Sequence, residues 1–455
     1  MYDTIIIGAG MSGLAAGIRL AHFNQRVCIL ERHSVIGGLN SFYRQGGREY
    51  DVGLHAVTNY TPKGSRRGPL TRLLRQLRIR WDELALAPQV GSEIAFRDAR
   101  LRFSNDPELL ASEIAQSFPS QKDGFCSLVA SIADYDRLGT GGFATSARAE
   151  VARHISDPLL VEMLLCPLFF YGGAREHDMD LAQFFIMFRA IYLEGLARPL
   201  AGVRLILRKL ADRFKSMGGE LRLRACVDRI VVKDATAEKV VLEDGTELAA
   251  RRILSSAGWH ETMELCGPSH EARMIGGLSF VEGICVLDAE PRRLGHDRTI
   301  VFFNDSDRFE YRNPDGLVDL RSGVVCSPNN FVYDEPLAEG MIRLTALANY
   351  DRWASLDESD YRLAKLRCYD QVVASAVRFV PDFRSAVIAT DLFTPKTITR
   401  YTGRQRGAIY GSPTKRHDGR THLDNLFICG ADQGLVGIIG TLISGIAIAN
   451  QYLLE

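Results

Sequence analysis

The chain has 455 residues, with 55 Lys plus Arg against 55 Asp plus Glu and a formal net charge of zero. That length is about three times a typical domain, so two or more structural units are expected, and the charge balance excludes a dedicated nucleic-acid binder, which carries a basic excess. Apolar residues at 46% and charged residues at 24% exclude disordered, collagen-like and coiled-coil chains. Nine Cys are scattered singly with no C-x-x-C pair. Neither a zinc ribbon nor a disulfide framework is indicated, and a reducing, cytoplasmic setting is the simplest fit. Asp3 stands where a secretory leader would carry a basic region, and Thr4 to Ile7 is too short for its apolar segment.

Asp3-Thr-Ile-Ile-Ile-Gly8 reads as a short buried strand. Gly8-Ala-Gly10-Met11-Ser12-Gly13 follows, then Leu14 to Ala21 as a helix, then a second strand from Arg26 that ends on Glu31. Strand, three glycines, helix, strand and acid form the dinucleotide-binding fingerprint in its required context. Gly8 permits the tight turn, Gly10 lets backbone approach a pyrophosphate, and Gly13 lets helix and strand pack closely. The helix start offers free N–H groups and a positive dipole end to phosphates. Glu31 is placed to accept from the adenosine ribose, with Arg32 beside it.

Gly37-Gly38 come next, then Leu39, a turn at Gly46-Gly47, and Glu49-Tyr-Asp-Val-Gly53-Leu-His55. These residues resemble the two-dinucleotide-fold flavoproteins, which place a Gly-Gly pair against a flavin. Most of those carry Arg after the pair; Leu39 stands there in this chain, so any side-chain contact is lost while the backbone role of Gly38 survives.

Residues 63 to 80 hold seven basic residues and no acid, with Leu70, Leu73, Leu74 and Leu77 at helical spacing. The segment reads either as a solvated helix face over a core seam or as an amphipathic helix on an anionic membrane surface. Met163 to Tyr171 and Phe184 to Phe188 are rich in Met and aromatics, either core or the lining of an apolar tunnel. Phe302 and Phe303 fit a buried strand. Val203 to Met217 reads as a helix ended by Gly218-Gly219, and Asp244-Gly245 as the turn of a hairpin. No second G-x-G-x-x-G follows a strand, so a separate nicotinamide domain is not expected. His154, His177 and His260 lack partners at metal-ligand spacing, so no metal is expected.

Asn425 to Gly430 reads as a strand entering a turn, and Gly434-Leu-Val-Gly437-Ile438-Ile-Gly440 opens a helix running to about Leu453. The uncharged run from Gln433 to Leu454 is long enough to span a bilayer but too polar, and reads better as a buried helix whose start faces the cofactor.

Together with Thr394-Pro-Lys-Thr, Arg400-Tyr401, Arg406-Gly407 and Tyr410-Gly411, these residues resemble the phytoene desaturase, carotenoid isomerase and retinol saturase group of FAD enzymes. The resemblance covers the first seventy residues, roughly 200 to 260, and 390 to the end. It implies an α/β, Rossmann-like FAD-binding domain of the two-dinucleotide-fold type, made of 1–70, 200–269 and 391–455. An inserted α+β substrate domain would comprise 71–199 and 270–390. It also implies that Val227 contacts adenine through its backbone and that Asp432 meets the ribityl or pyrophosphate. The expected cofactor-binding set is Gly8, Gly10, Met11, Ser12, Gly13, Glu31, Arg32, Gly38, Leu39, Val227, Gly430, Asp432, Gly437 and Ile438, with His55 as a catalytic proton shuttle.

The implied activity is desaturation, saturation or flavin-assisted isomerisation of a long apolar polyene, with oxygen, a quinone or a reductant as electron partner. A peripheral membrane contact would spare such a substrate passage through water, which costs about 25 cal/mol per Å². Three other readings stay open: a polyene-modifying or cyclising oxidoreductase of secondary metabolism, a flavin amine oxidase, and a prenyl-lipid escort protein that has lost the cofactor. The amine oxidase would want an aromatic cage near the chain end, where none is read. The escort protein would show a broken glycine fingerprint, and this one is intact.

Overall fold

The computed structural model describes residues 1–53, 56–134, 145–267 and 275–454. The fingerprint strand Tyr2–Ile7 is buried from Thr4 onward and lies parallel to Val27–Glu31 on one side and to Glu247–Ser255 on the other. Glu220–Leu223 adds a parallel strand beyond Val27–Glu31. On the far edge, Glu247–Ser255 pairs antiparallel with Thr236–Leu242 through its first residues and parallel with Leu426–Ile428 through its last. Val227–Lys233 completes the seven-stranded sheet outside Thr236–Leu242, whose hairpin with Glu247–Ser255 turns at Gly245 (φ +83°). Chain segments far apart in sequence thus meet in one doubly wound layer, with parallel strands ending at a common rim where ligands bind in such sheets.

Helix Met11–His22 covers this sheet and packs against the chain-end helix Gly437–Ile448, which continues in a wider turn over Ala449–Leu453. Gly445 makes that packing close: a Cβ there would overlap the backbone of Ser12. Helix Pro69–Leu77 buries Leu70, Leu73, Leu74 and Leu77 in the same core and leaves Arg72 and Arg75 exposed. Its apolar seam is therefore a core seam, and the boundary expected at residue 70 falls inside a helix that belongs to the dinucleotide layer. No described helix is long and apolar enough to cross a membrane.

The second seven-stranded sheet runs Val387–Phe393, Ser279–Leu287, Gly340–Ala348, Ser322–Cys326, Ile300–Asn304, Ser92–Phe96 and Arg100–Phe103. All pairings are antiparallel except Ile300–Asn304 with Ser92–Phe96. Phe302 and Phe303 lie buried in it. Strand Val387–Phe393 crosses the expected boundary at 390. Helices Pro158–Gly172 and Leu181–Phe188 bury nearly their whole length, and most of their Met, Leu and Phe residues form a core with the sheet. Helix Glu358–Ala376 packs on the opposite face.

Candidate cofactor and substrate site

A cavity of about 1220 Å³ opens where the rim of the first sheet faces the second. Ligand pockets typically enclose about 300–1,000 Å³, so this one has room for more than one ligand.

The glycines divide by task. A Cβ on Gly13 would overlap the Gly8 carbonyl oxygen, so Gly13 fixes how closely helix and strand approach; it does not line the cavity. Gly8 sits at φ +97° with Ser256 against it, and the Ser256 hydroxyl donates to the carbonyls of Ile7 (2.9 Å) and Gly8 (3.1 Å). By contrast, a Cβ on Gly10, Gly38 or Gly437 would meet no protein atom within 4 Å. All three line the cavity. Side chains there would fill space reserved for something else. Gly10 is the N-cap of Met11–His22 and supplies no side-chain cap, and Val436 likewise caps Gly437–Ile448 with none. Two helix starts therefore turn uncapped N–H groups toward the cavity, one suited to phosphate and one to charge developing on a reduced ring.

Glu31 is buried on the cavity wall and accepts from the Ala9 N–H (2.8 Å) and the His33 N–H (2.9 Å). Each oxygen retains a lone pair for a ribose hydroxyl. Met11, Ser12, Arg32, Leu39, Val227 and Gly430 also line the cavity. A Cβ on Gly53 would overlap the Leu39 carbonyl, so the backbone of the Gly-Gly turn is braced from behind. His55 lies outside the described residues.

Two expectations are corrected. Ala431, not Asp432, is on the cavity wall. The Asp432 carboxylate turns away, accepting from the N–H groups of Trp259 and Ser412, both at 2.6 Å, and from Arg404 Nη1 at 3.0 Å. Burial pushes this carboxyl up, but Arg404 and Lys415, helped by the two amides, outweigh it and hold it below the usual range. Burial in turn pushes the Lys415 ammonium down to about 8 against the pull of Asp432. Asp432 is thus the tie that fixes the turn carrying Gly430 and Ala431. Ile438 is likewise not on the cavity wall, its side chain being buried in the helix core.

At the other end the wall becomes apolar and aromatic: Phe170, Tyr171, Phe280, Val324, Phe393, Ile409, Tyr410 and Val436. Of the aromatic and Met-rich helices, only Phe170 and Tyr171 reach it. The Tyr410 hydroxyl donates to the Phe170 carbonyl, fixing both rings. The wall contributed by Val436 and Gly437 presents no ring, as the chain-end sequence implies.

Several site residues lie outside the expected cofactor-binding set. Helix Pro395–Thr402, capped by the Thr394 hydroxyl on the Thr397 N–H, places Lys396, Thr397 and Arg400 on the wall, and Arg404 follows it. Glu282 stands on the apolar wall, paired with Arg343. Its one signal is a lone acid inside the apolar run Ser279–Leu287, matched by a lone Arg in Gly340–Ala348.

A model of the family described as flavin containing amine oxidoreductase matches residues 11–453. Prolycopene isomerase 2 of an Oncidium hybrid cultivar is 23% identical over 506 residues, covering 99% of this chain and 83% of that protein. All-trans-retinol 13,14-reductase of Danio rerio is 22% identical over 541 residues, covering 99% of this chain and 86% of that protein. An oxidoreductase structure from Methanosarcina mazei superposes with a TM-score of 0.69 at 15% identity, covering 98% of this chain and 100% of that one. That likeness is one of fold.

Proposed function

The chain belongs to the flavin containing amine oxidoreductase family, and from that premise we propose that this FAD-dependent oxidoreductase acts on a long, apolar polyene. The observation that carries the reading is the single cavity joining a glycine-lined cradle to a wall of Phe170, Tyr171, Phe280, Val324, Ile409 and Tyr410. Two relatives aligned over nearly the whole chain are named for a carotenoid isomerisation and a retinol reduction. Bound FAD supplies hydride acceptance and return.

The chain's own residues would do the rest. Glu31 and Val227 would hold the adenosine, and the N–H groups at Met11 and Ser12 the pyrophosphate. Gly38 and Gly437 would let the ring system approach backbone. The apolar wall excludes water and orients the hydrocarbon by shape, since such a substrate offers no hydrogen bonds. Electrons would pass between the flavin and oxygen, a quinone or another small reductant or oxidant. The exposed cations Arg66, Arg67, Arg72 and Arg75 would support a peripheral contact with anionic lipid, from which the substrate is drawn.

The test is to incubate the flavin-loaded protein with prolycopene, all-trans-retinol and a panel of primary amines, with the flavin oxidised and reduced. Altered polyene with untouched amines supports the reading; amine oxidation with untouched polyenes overturns it.

A further inference from the structure

We propose that Glu282 is the acid–base residue that moves a proton at the polyene, a role that rests on the polyene reading above. Strands Ser279–Leu287 and Gly340–Ala348 are interior strands of the second sheet, and their register sets Glu282 opposite Thr345 on one side and Phe393 on the other. All three residues line the cavity, with Phe280 and Val324 nearby on the same sheet. Glu282 is 8% exposed and Arg343 1%. One carboxylate oxygen accepts from Arg343 Nη2 and the other from the Thr345 hydroxyl at 3.4 Å. Asp391, the other acid this sheet turns to the cavity, is held by the Tyr43 hydroxyl at 2.9 Å and Lys365 Nζ at 3.3 Å.

A buried ion pair is a poor device for stability, because an apolar pair of similar volume serves a fold as well or better. Here it keeps an ionisable oxygen beside Phe280, Val324 and Phe393 on the cavity wall. Burial pushes the Glu282 carboxyl up, and Arg343 and Thr345 draw it only part of the way back.

In the oxidative direction one carbon of the chain would lose a hydride, for which bound FAD would supply the acceptor, and the adjacent carbon would give its proton to a Glu282 oxygen. The electron pair of that second C–H bond becomes the new π bond. In the reductive direction protonated Glu282 delivers its proton to one olefinic carbon and the neighbouring carbon takes the hydride. In both directions the Glu282 carboxylate faces the cationic character that builds on the chain between the hydride and the proton transfer.

Flavin-loaded protein is incubated anaerobically in D₂O with prolycopene, with the flavin oxidised and reduced, and the recovered polyene is weighed by mass spectrometry. Polyene binding is read separately, by the shift of its visible band on flavin-stripped protein. The wild-type protein is expected to place solvent deuterium on the polyene. Glu282→Gln is expected to lower that labelling by about a hundredfold or more while flavin and polyene still bind. Glu282→Asp, which preserves the charge facing Arg343, is expected to recover part of it and guards against a folding defect in the Gln variant. Undiminished labelling in Glu282→Gln overturns the role of Glu282 and leaves the polyene reading standing. Wild-type protein that binds prolycopene without placing deuterium on it overturns the role of Glu282 alone; failure of the wild-type protein to bind prolycopene overturns both.

Discussion

Replacing Asp432 with Ala separates a structural tie from a cofactor contact. The carboxylate is 2% exposed and neutralises Arg404, itself 8% exposed, while satisfying two buried amides. Removing it leaves the buried Arg404 with Glu261, at 3.6 Å, as its remaining carboxylate partner, a loss of up to about 3–5 kcal/mol, and each unsatisfied N–H adds about 1–3 kcal/mol where water cannot enter. Unfolding entropy of about 2.1 cal/mol/K per residue over 455 residues makes about 1 kcal/mol equal to about 1 °C when the chain melts as one unit. The flavin-stripped variant should therefore melt at least about 3–5 °C below stripped wild type. Flavin affinity should fall as a consequence, because the turn carrying Gly430 and Ala431 loses its anchor. Adding Arg404→Met to Asp432→Ala should recover part of the loss, since the under-compensated buried charge is gone. The assay is differential scanning calorimetry of the stripped proteins beside a flavin titration. An unchanged melting temperature with a large loss of flavin affinity would refute the tie and return Asp432 to the ligand.

Gly10→Val should leave the stripped protein within about 0.5 kcal/mol of wild type, since its Cβ meets no protein atom, yet weaken flavin binding at least about tenfold; Gly13→Ala should instead destabilise the stripped protein by about 1–3 kcal/mol, and equal calorimetry for the two would contradict the assignment. Leu73→Ala, in the buried seam, should cost about 2–5 kcal/mol, whereas Arg72→Glu with Arg75→Glu should leave stability unchanged and weaken sedimentation with anionic vesicles by about 1 kcal/mol per charge removed; vesicle binding that ignores both charges removes the membrane contact. Burial pushes the thiols of Cys326, Cys368 and Cys429 up to about 12 in the folded chain, from an ordinary thiol value of 9.0. The unfolded chain then releases protons first as pH rises from 9 toward 12, so stability is intact below pH 9 and declines above it. At pH 10 the loss is about 1.4 kcal/mol per thiol, measurable as a lower melting temperature than at pH 8 that Cys429→Ala partly relieves.

The glycine fingerprint, the acid-ended second strand, the Gly37-Gly38 turn and the uncharged chain-end helix were legible because each is a local pattern with a local cause. Apolar runs bounded by Gly set the strands, and the absence of charge from Gln433 to Leu454 set a helix that had to be buried. What escaped depends on direction and on distant partners. Whether residue 431 or 432 faces the cavity turns on backbone at Gly430 (φ +93°) and Gly434 (φ +111°), which no side-chain pattern reports. The Glu282–Arg343 pair joins residues far apart in sequence through strand register. The aromatic stripe of Pro158–Gly172 looks alike whether it faces core or cavity, and only its last turn reaches the cavity. The seam of Pro69–Leu77 reads equally well for lipid or for a neighbouring helix until the chain-end helix is seen packed on it.

The most direct test of the account is anaerobic product analysis of the flavin-loaded protein with prolycopene, beside a primary-amine panel under the same conditions. The account predicts a polyene changed in double-bond number or geometry and amines recovered intact. Flavin reduction by an amine, with prolycopene recovered unchanged in both flavin redox states, would contradict it.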